Sequence, residues 1–166
     1  MSLDMEPLLA ALLPDNGEGW RVHQPEQTDT GLWAACTHRQ KLKRHLFTKK
    51  LSLWQVFRHR YLYLYRLDLL DFNTLARCLD EAMSAAHVKP GWKQRLWDVS
   101  IVLVCDAARP DALELVERFG KCHLYKLGLH GRLCARAAAL DLATGEVIHG
   151  PHGKAPAQQL KACLGM

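Results

Sequence analysis

The stretch WDVSIVLVCD, residues 97 to 106, decides how this chain folds. After Ser100 it continues through five apolar residues in a row, a pattern typical of a strand that is buried on both faces. The segment that follows, residues 107 to 119, predicts a helix, with Pro110 near its start and Gly120 as its stop signal. A buried strand followed at once by a helix predicts a sheet that is covered by helices.

The segments on either side extend this pattern. Apolar spacing in residues 71 to 88 predicts an amphipathic helix capped by Asp71 or Asn73. The alternating tyrosines and leucines of RHRYLYLYRLDL, residues 58 to 69, predict a strand. Further strands are expected at 20–24, 32–39, 41–47 and 122–129, a hairpin at 133–150, and helices at 3–13 and 155–164, while 51–57 fits a helical turn or a strand. This order predicts a single α/β or α+β domain over residues 1–166, with a mixed sheet and helices packed on one or both of its faces.

Composition limits the class of protein further. The 166 residues suffice for one domain with a real core. Apolar runs fall short of the roughly 18 residues that a bilayer span needs, so no membrane association is expected. The start, MSLDMEPLLAALLP, has two acids and no lysine or arginine, which does not predict a secretory signal. We therefore expect a cytoplasmic protein whose six cysteines are reduced and mostly buried.

Positive charge is concentrated in one part of the chain. From Thr30 to Leu67 there is no Asp or Glu, yet this window holds nine of the 22 basic residues. They are Arg39, Lys41, Lys43, Arg44, Lys49, Lys50, Arg58, Arg60 and Arg66. The rest of the chain has 13 basic residues against all 17 acidic ones, so the net charge of +5 arises within the window. Such a distribution predicts a polyanionic partner.

The same window holds seven of the 13 aromatic residues. Nucleic-acid surfaces combine cations for phosphates with flat rings on which bases stack. The sequence therefore predicts binding of nucleic acid or another polyanion through residues 39–66, with binding that weakens steeply in salt. The candidate residues are Lys41, Lys43, Arg44, Lys49, Lys50, Arg58 and Arg60 for phosphates, and His59, Tyr61 and Tyr63 for stacking. A competing interpretation makes the tyrosines part of the core, with their hydroxyl groups at its margin.

Two other functions remain open. One is a protein interaction domain or homo-oligomeric scaffold, whose basic face meets an acidic partner or a second copy. The other is an enzyme with a site near Asp106, at the end of the central strand, and the loop HGPHGK, which would contribute His149, His152 or Lys154. Against it, Asp106 also suits a helix cap and the loop suits a plain connection. The chain contains no catalytic motif that we identify and predicts no cofactor and no metal site.

The order of elements loosely resembles that of restriction-endonuclease-like nucleases, in which a helix, three strands, a helix and a strand follow one another. Their motif places an acid on one strand and Asp/Glu-x-Lys on the next. No Asp-x-Lys or Glu-x-Lys occurs in this chain, and the acid-free window covers the strands where those carboxylates would lie. The resemblance is one of topology, and it counts against a metal-dependent nuclease of this type.

Overall fold

Among the described residues, seven strands form one mixed sheet, and four helices cover it. The computed structural model describes residues 3–26, 28–44, 54–90, 95–128 and 130–165, without the side chains of residues 43, 44, 54 and 55. The helices are Met5–Leu12 (α1), Phe72–Ala85 (α2), Pro110–Arg118 (α3) and Lys154–Cys163 (α4). The strands are Arg21–His23 (β1), Leu32–Arg44 (β2), Trp54–Leu70 (β3), Arg95–Ala108 (β4), Gly120–Leu124 (β5), Arg132–Asp141 (β6) and Glu146–His149 (β7). The predicted fold class is confirmed, as a single α+β domain.

The sheet has the strand order β1-β2-β3-β4-β6-β5. Strands β3, β4 and β6 are parallel to one another, and β2 runs antiparallel to β3. Strands β5 and β7 both pair with β6, β5 along its first half and β7 along its second. The crossover from β3 to β4 passes through α2, as parallel pairing of neighbouring strands requires.

Helices pack on both faces of the sheet, so β4 is buried on both sides. Val99, Ile101 and Leu103 of β4 belong to a core cluster with α2 and α3, on what we name the α2–α3 face. Val102 and Val104 belong to a second cluster with α1 and α4, on the α1–α4 face. The apolar run in the central strand is explained by this arrangement, because alternate side chains enter different cores.

Helix α2 is fixed to the sheet by polar contacts as well as by packing. Its N-cap is Asp71, whose carboxylate accepts a hydrogen bond from the backbone N–H of Thr74 at 2.8 Å, and this bond lowers the pKa of Asp71. On β3, the hydroxyl of Tyr65 donates a hydrogen bond toward the carbonyl oxygen of Cys78 and a carboxylate oxygen of Glu81, each 3.0 Å away. Asp71, and not Asn73, is thus the N-cap of α2, and Tyr65 ties this helix to the sheet.

Three strand boundaries differ from the prediction. Residues 32–39 and 41–44 form one continuous strand, and β3 begins at Trp54, within the segment that was ambiguous. The predicted strand 122–129 is wrong after Leu124, because the chain turns there. Backbone hydrogen bonds between Tyr125 and Gly131, and between His130 and Tyr125, close this turn and make β5 and β6 a hairpin. Residues 45–47 and 51–53 lie outside the described residues.

The cysteines do not share one state. Cys122 and Cys134 lie directly opposite each other on β5 and β6 and are joined by a disulfide, so the expectation that all six are reduced is wrong for this pair. Cys36, Cys78 and Cys105 are free and buried, and burial raises their pKa values, to about 11 for Cys36 and about 12 for the other two. Cys163 is free and exposed.

None of the helices among the described residues has the length and apolar character to span a bilayer.

Candidate nucleic-acid interface

The alternation of side chains in β3 separates the predicted interface residues. His59 and Tyr61 lie on the α2–α3 face, together with the buried Tyr63. Arg58 and Arg60 alternate with them and lie on the α1–α4 face, together with the buried Leu62. Because the strand is extended through this region, Arg58 and Arg60 do not contribute to the surface that carries His59 and Tyr61.

A groove opens on the α2–α3 face where β1, β2 and β3 lie side by side. It encloses a cavity of about 420 Å³, lined by Gly19, Arg21, Thr37, His38, Arg39, His59 and Tyr61. The strand register brings these residues together, because Thr37 pairs with both Arg21 and Tyr61, and Arg39 pairs with His59. Sequence reasoning missed Arg21, which lies before the acid-free window and reaches the groove only through the pairing of β1 with β2.

The basic and aromatic character continues beyond the groove toward β4. Phe57 pairs with the exposed Lys41 on one side and with Arg95 on the other. The guanidinium of Arg39 lies over the Phe57 ring, 4.9 Å from its centroid, in cation–π geometry. Arg95 was not predicted, since nothing local in the sequence reveals which residue of a parallel neighbour will lie beside Phe57.

The arginines shape the electrostatics of this surface. Burial lowers the pKa of His59, and the charges of Arg39 and Arg95 lower it further. Burial raises the pKa of the Tyr61 hydroxyl, while the same two arginines oppose that shift. His59 is therefore neutral at pH 7, and its ring lies nearly parallel to that of Trp97, with centroids 6.4 Å apart. The permanent positive charge of the surface comes from its arginines and lysine.

Of the predicted stacking residues, Tyr63 is excluded by burial. Its side chain is only 3% exposed, and its ring lies parallel to that of Tyr61 with centroids 6.3 Å apart. Tyr65 is fully buried. The core interpretation is thus confirmed for Tyr63 and Tyr65, and the prediction that Tyr63 stacks on a base is wrong, because no base reaches a ring inside the core. Tyr61 is half-buried and keeps a surface in the groove.

Four predicted cations cannot be placed on either face. Lys43 and Arg44 form the end of β2, but their side chains lie outside the described residues. Lys49 and Lys50 lie outside them entirely. Their part in an interface stays a prediction from the sequence.

Asp106 does not cap α3, as one interpretation of the sequence had it, but pairs with an arginine. Asp106 is half-exposed at the carboxyl end of β4 and forms an ion pair with Arg66 of β3. The N-cap of α3 is Arg109, which makes no side-chain capping bond.

The HGPHGK loop lies elsewhere, beside the middle of β6. The backbone N–H of Gly150 donates to the carbonyl of Ala137, and a Cβ at Gly150 would lie 1.9 Å from the carbonyl oxygen of Phe119. Ala137 pairs with Ile101, five residues before Asp106, which is a distance of about 17 Å along the strand. The glycine serves a close backbone contact, and the structure does not bring the loop and Asp106 into one site. Among the described residues, no group of three or more His, Cys, Asp or Glu side chains is placed to hold a metal ion.

Fold and site together define a three-layered α+β protein with a basic and aromatic groove at one end of its sheet. The chain belongs to the family described as Domain of unknown function (DUF8052), whose model matches residues 23–162. No curated protein and no solved structure matches the chain. The function must therefore be argued from the groove itself.

Proposed function

We propose that this chain is a non-catalytic nucleic-acid-binding domain. It binds through the groove residues Arg21, Arg39, His59 and Tyr61 and through Lys41 and Arg95 at the margin of the groove; we name this set the basic-aromatic groove. The observation that carries the proposal is the convergence of cations from three strands and an accessible tyrosine ring on one face of the sheet.

The chemistry of the groove favours a single strand over a duplex. A phosphate backbone that follows the groove meets Arg21 and Arg39, with Lys41 and Arg95 at its margins. A base that stacks on Tyr61 must be unpaired, because duplex bases expose only their edges. His59, whose pKa is lowered, adds a ring to the groove without a permanent charge.

Lys43, Arg44, Lys49 and Lys50 belong to the proposal on sequence grounds. They follow Lys41 along the chain within the same acid-free window and would extend the path of the phosphates.

A cytoplasmic location is part of the same proposal. Buried free thiols at Cys36, Cys78 and Cys105 support it, whereas the Cys122–Cys134 disulfide is more typical of an oxidising compartment and counts against it. Cell fractionation with a tagged chain tests this, and recovery in an oxidising compartment would contradict it.

The binding test is fluorescence anisotropy with a labelled single-stranded oligonucleotide of mixed sequence, titrated at several salt concentrations. For four phosphate contacts we expect a slope of log K against log salt of about −3, and about −1.4 after loss of two contacts. The double charge reversal Arg39→Glu/Lys41→Glu should therefore abolish binding at physiological salt. Lys154→Glu/Lys161→Glu, the same charge change on exposed positions of α4 on the opposite face, should retain it.

A second variant separates nucleic acid from other partners. Tyr61→Ala should weaken binding of the oligonucleotide about tenfold and leave heparin binding unchanged, because stacking is worth about 1–3 kcal/mol per base and heparin has no bases. Equal losses for both would indicate a general polyanion site. Absence of binding at low salt, with dimers in light scattering that the Arg39→Glu/Lys41→Glu variant dissociates, would favour the oligomeric scaffold instead.

A further inference from the structure

The α1–α4 face carries a second positively charged site, separated from the basic-aromatic groove by the sheet. A cleft of about 330 Å³ opens there between the end of α1, the start of α4 and the strands beneath. Its polar floor consists of Arg58 and Arg60 of β3, Asp98 and Ser100 of β4, and Arg136 of β6. Its other side is formed mainly by Leu12, Pro14, Trp20 and Pro156.

The arginines are held in place by a buried carboxylate. Asp98, which is 6% exposed, accepts a hydrogen bond from Nε of Arg58 at 2.7 Å, and its other oxygen lies 3.4 Å from a terminal nitrogen of Arg136. Arg58 is bound through Nε, so its two terminal nitrogens remain as donors. Arg60 approaches the exposed Asp15 at 4.0 Å, a distance that leaves it largely available.

The charges in the cleft do not balance. Three guanidinium groups face one buried carboxylate, and the second carboxylate, Asp15, is 75% exposed. The start of α4 borders the cleft with no acidic residue in its first turn, so the positive end of the helix dipole adds to the excess. The cleft therefore offers donors and positive charge that its own acids do not use.

From these observations we propose that the cleft binds a small phosphate monoester that carries a flat ring. Three guanidinium groups against Asp98 and the exposed Asp15 leave an excess of about one positive charge, and the N-terminus of α4 adds about half a charge, which together suit a phosphate monoester with about −1.5 to −2 at pH 7. Planar guanidinium groups recognise phosphate oxygens in pairs of hydrogen bonds. The apolar wall with Trp20 provides a surface for the ring, and the cavity volume lies within the range of small-molecule sites, about 300–1,000 Å³.

Adenosine monophosphate is the probe, with adenosine and inorganic phosphate as the two halves of the ligand. Isothermal titration should show binding of adenosine monophosphate, weaker binding of phosphate and none of adenosine. Arg60→Ala should weaken binding of adenosine monophosphate at least about tenfold, because a charge-assisted pair of hydrogen bonds is lost. The variant should fold normally, since the contact of Arg60 with Asp15 is long and exposed. Arg60→Lys keeps the positive charge but loses the planar guanidinium group. Its affinity for adenosine monophosphate should therefore lie between that of the wild type and that of Arg60→Ala.

A readout from Trp20 and a control from the opposite face complete the test. The ligand should quench part of the tryptophan fluorescence, and Trp20→Phe should remove that change. Arg39→Glu/Lys41→Glu should bind adenosine monophosphate as the wild type does. No binding of the ligand, undiminished binding by Arg60→Ala, or loss of binding in the Arg39→Glu/Lys41→Glu variant would overturn the proposal. Because the groove is itself proposed to bind nucleotides, the two variants locate the site: a loss in Arg60→Ala assigns adenosine monophosphate to the cleft, whereas a loss only in Arg39→Glu/Lys41→Glu assigns it to the groove. The two proposals therefore fail separately.

Discussion

At the scale of single residues, burial decides what each charged side chain does. Two aspartates of β4 show this, since each is paired with arginine but only one is inside the protein. Asp98 is 6% exposed and lies between Arg58 and Arg136, whereas the side chain of Asp106 is 51% exposed beside Arg66. Asp98 therefore positions the guanidinium groups of the cleft, and Asp106 sits in a surface pair that solvent screens.

Replacement of these two aspartates should have unequal effects on stability. Asp98→Ala leaves two partly buried guanidinium groups uncompensated, and we expect a loss of about 2–3 kcal/mol in the free energy of unfolding. Asp106→Ala, the same change on the same strand, should cost less than about 1 kcal/mol. Urea denaturation of both variants measures the difference. Equal losses would show that Asp98 is not held as the structure has it.

His59 should make stability depend on pH. Its pKa in the folded protein lies below the ordinary value of 6.5, so the unfolded chain takes up the proton first as the pH falls. The folded protein therefore favours neutral His59, and the stability of the folded state should decrease as the pH is lowered from neutral through about 6.5. Urea denaturation across this range should show a shallower decrease for His59→Gln than for the wild type. Identical slopes for the two proteins would contradict this prediction.

At the scale of secondary-structure elements, β3 serves both halves of the molecule. Its odd-numbered side chains pass from the groove at His59 and Tyr61 into the core beneath α2 at Tyr63 and Tyr65. Its even-numbered ones pass from the cleft at Arg58 and Arg60 into the core at Leu62 and Leu64, on the side of α1 and α4. One strand thus lines the groove with one face and the cleft with the other.

Tyr65 fastens α2 to this strand. Tyr65→Phe removes the hydroxyl that bonds to Cys78 and Glu81, and we expect a loss of about 1–2 kcal/mol in the free energy of unfolding. Tyr61→Phe, the same change on a half-buried ring of the same strand face, should cost less than about 0.5 kcal/mol. Thermal denaturation of the pair tests this. A larger loss for Tyr61→Phe would contradict the assignment of Tyr65 as the anchoring residue.

At the scale of the whole molecule, the described cations of the acid-free window lie on both faces of the sheet, with Arg39 beside the groove and Arg58 and Arg60 beside the cleft. The edges of the sheet are stabilised differently from its centre. At one edge β5, whose five residues are all exposed, is joined to β6 by the Cys122–Cys134 disulfide. The centre relies on burial on both faces.

A thiol count tests this organisation. Protein denatured without reductant should show four reactive thiols, from Cys36, Cys78, Cys105 and Cys163, and reduction should bring the count to six. In the native protein, the exposed Cys163 should react at once and the three buried cysteines slowly, because burial holds them as protonated thiols. Six thiols in the unreduced, denatured protein would mean that the disulfide does not form.

The sequence by itself determined the elements and their alternation. The apolar run in residues 97–106 and the helical spacing in 71–88 predicted β4 and α2, because such patterns are local. The period of two in β3 already placed His59 and Arg58 on opposite faces. The binding role predicted for the acid-free window stays a prediction.

Only the tertiary structure decided which strands lie side by side. Parallel pairing between strands that a helix separates has no local signal, so the neighbours Phe57 and Arg95, or Asp98 and Arg136, could not be predicted. The same holds for the helix cover that buries Tyr63 yet leaves Tyr61 accessible. Contacts between distant segments depend on the packing of the entire chain. Here that packing places the basic residues of β2 and β3 beside arginines of other strands, on opposite faces of the sheet.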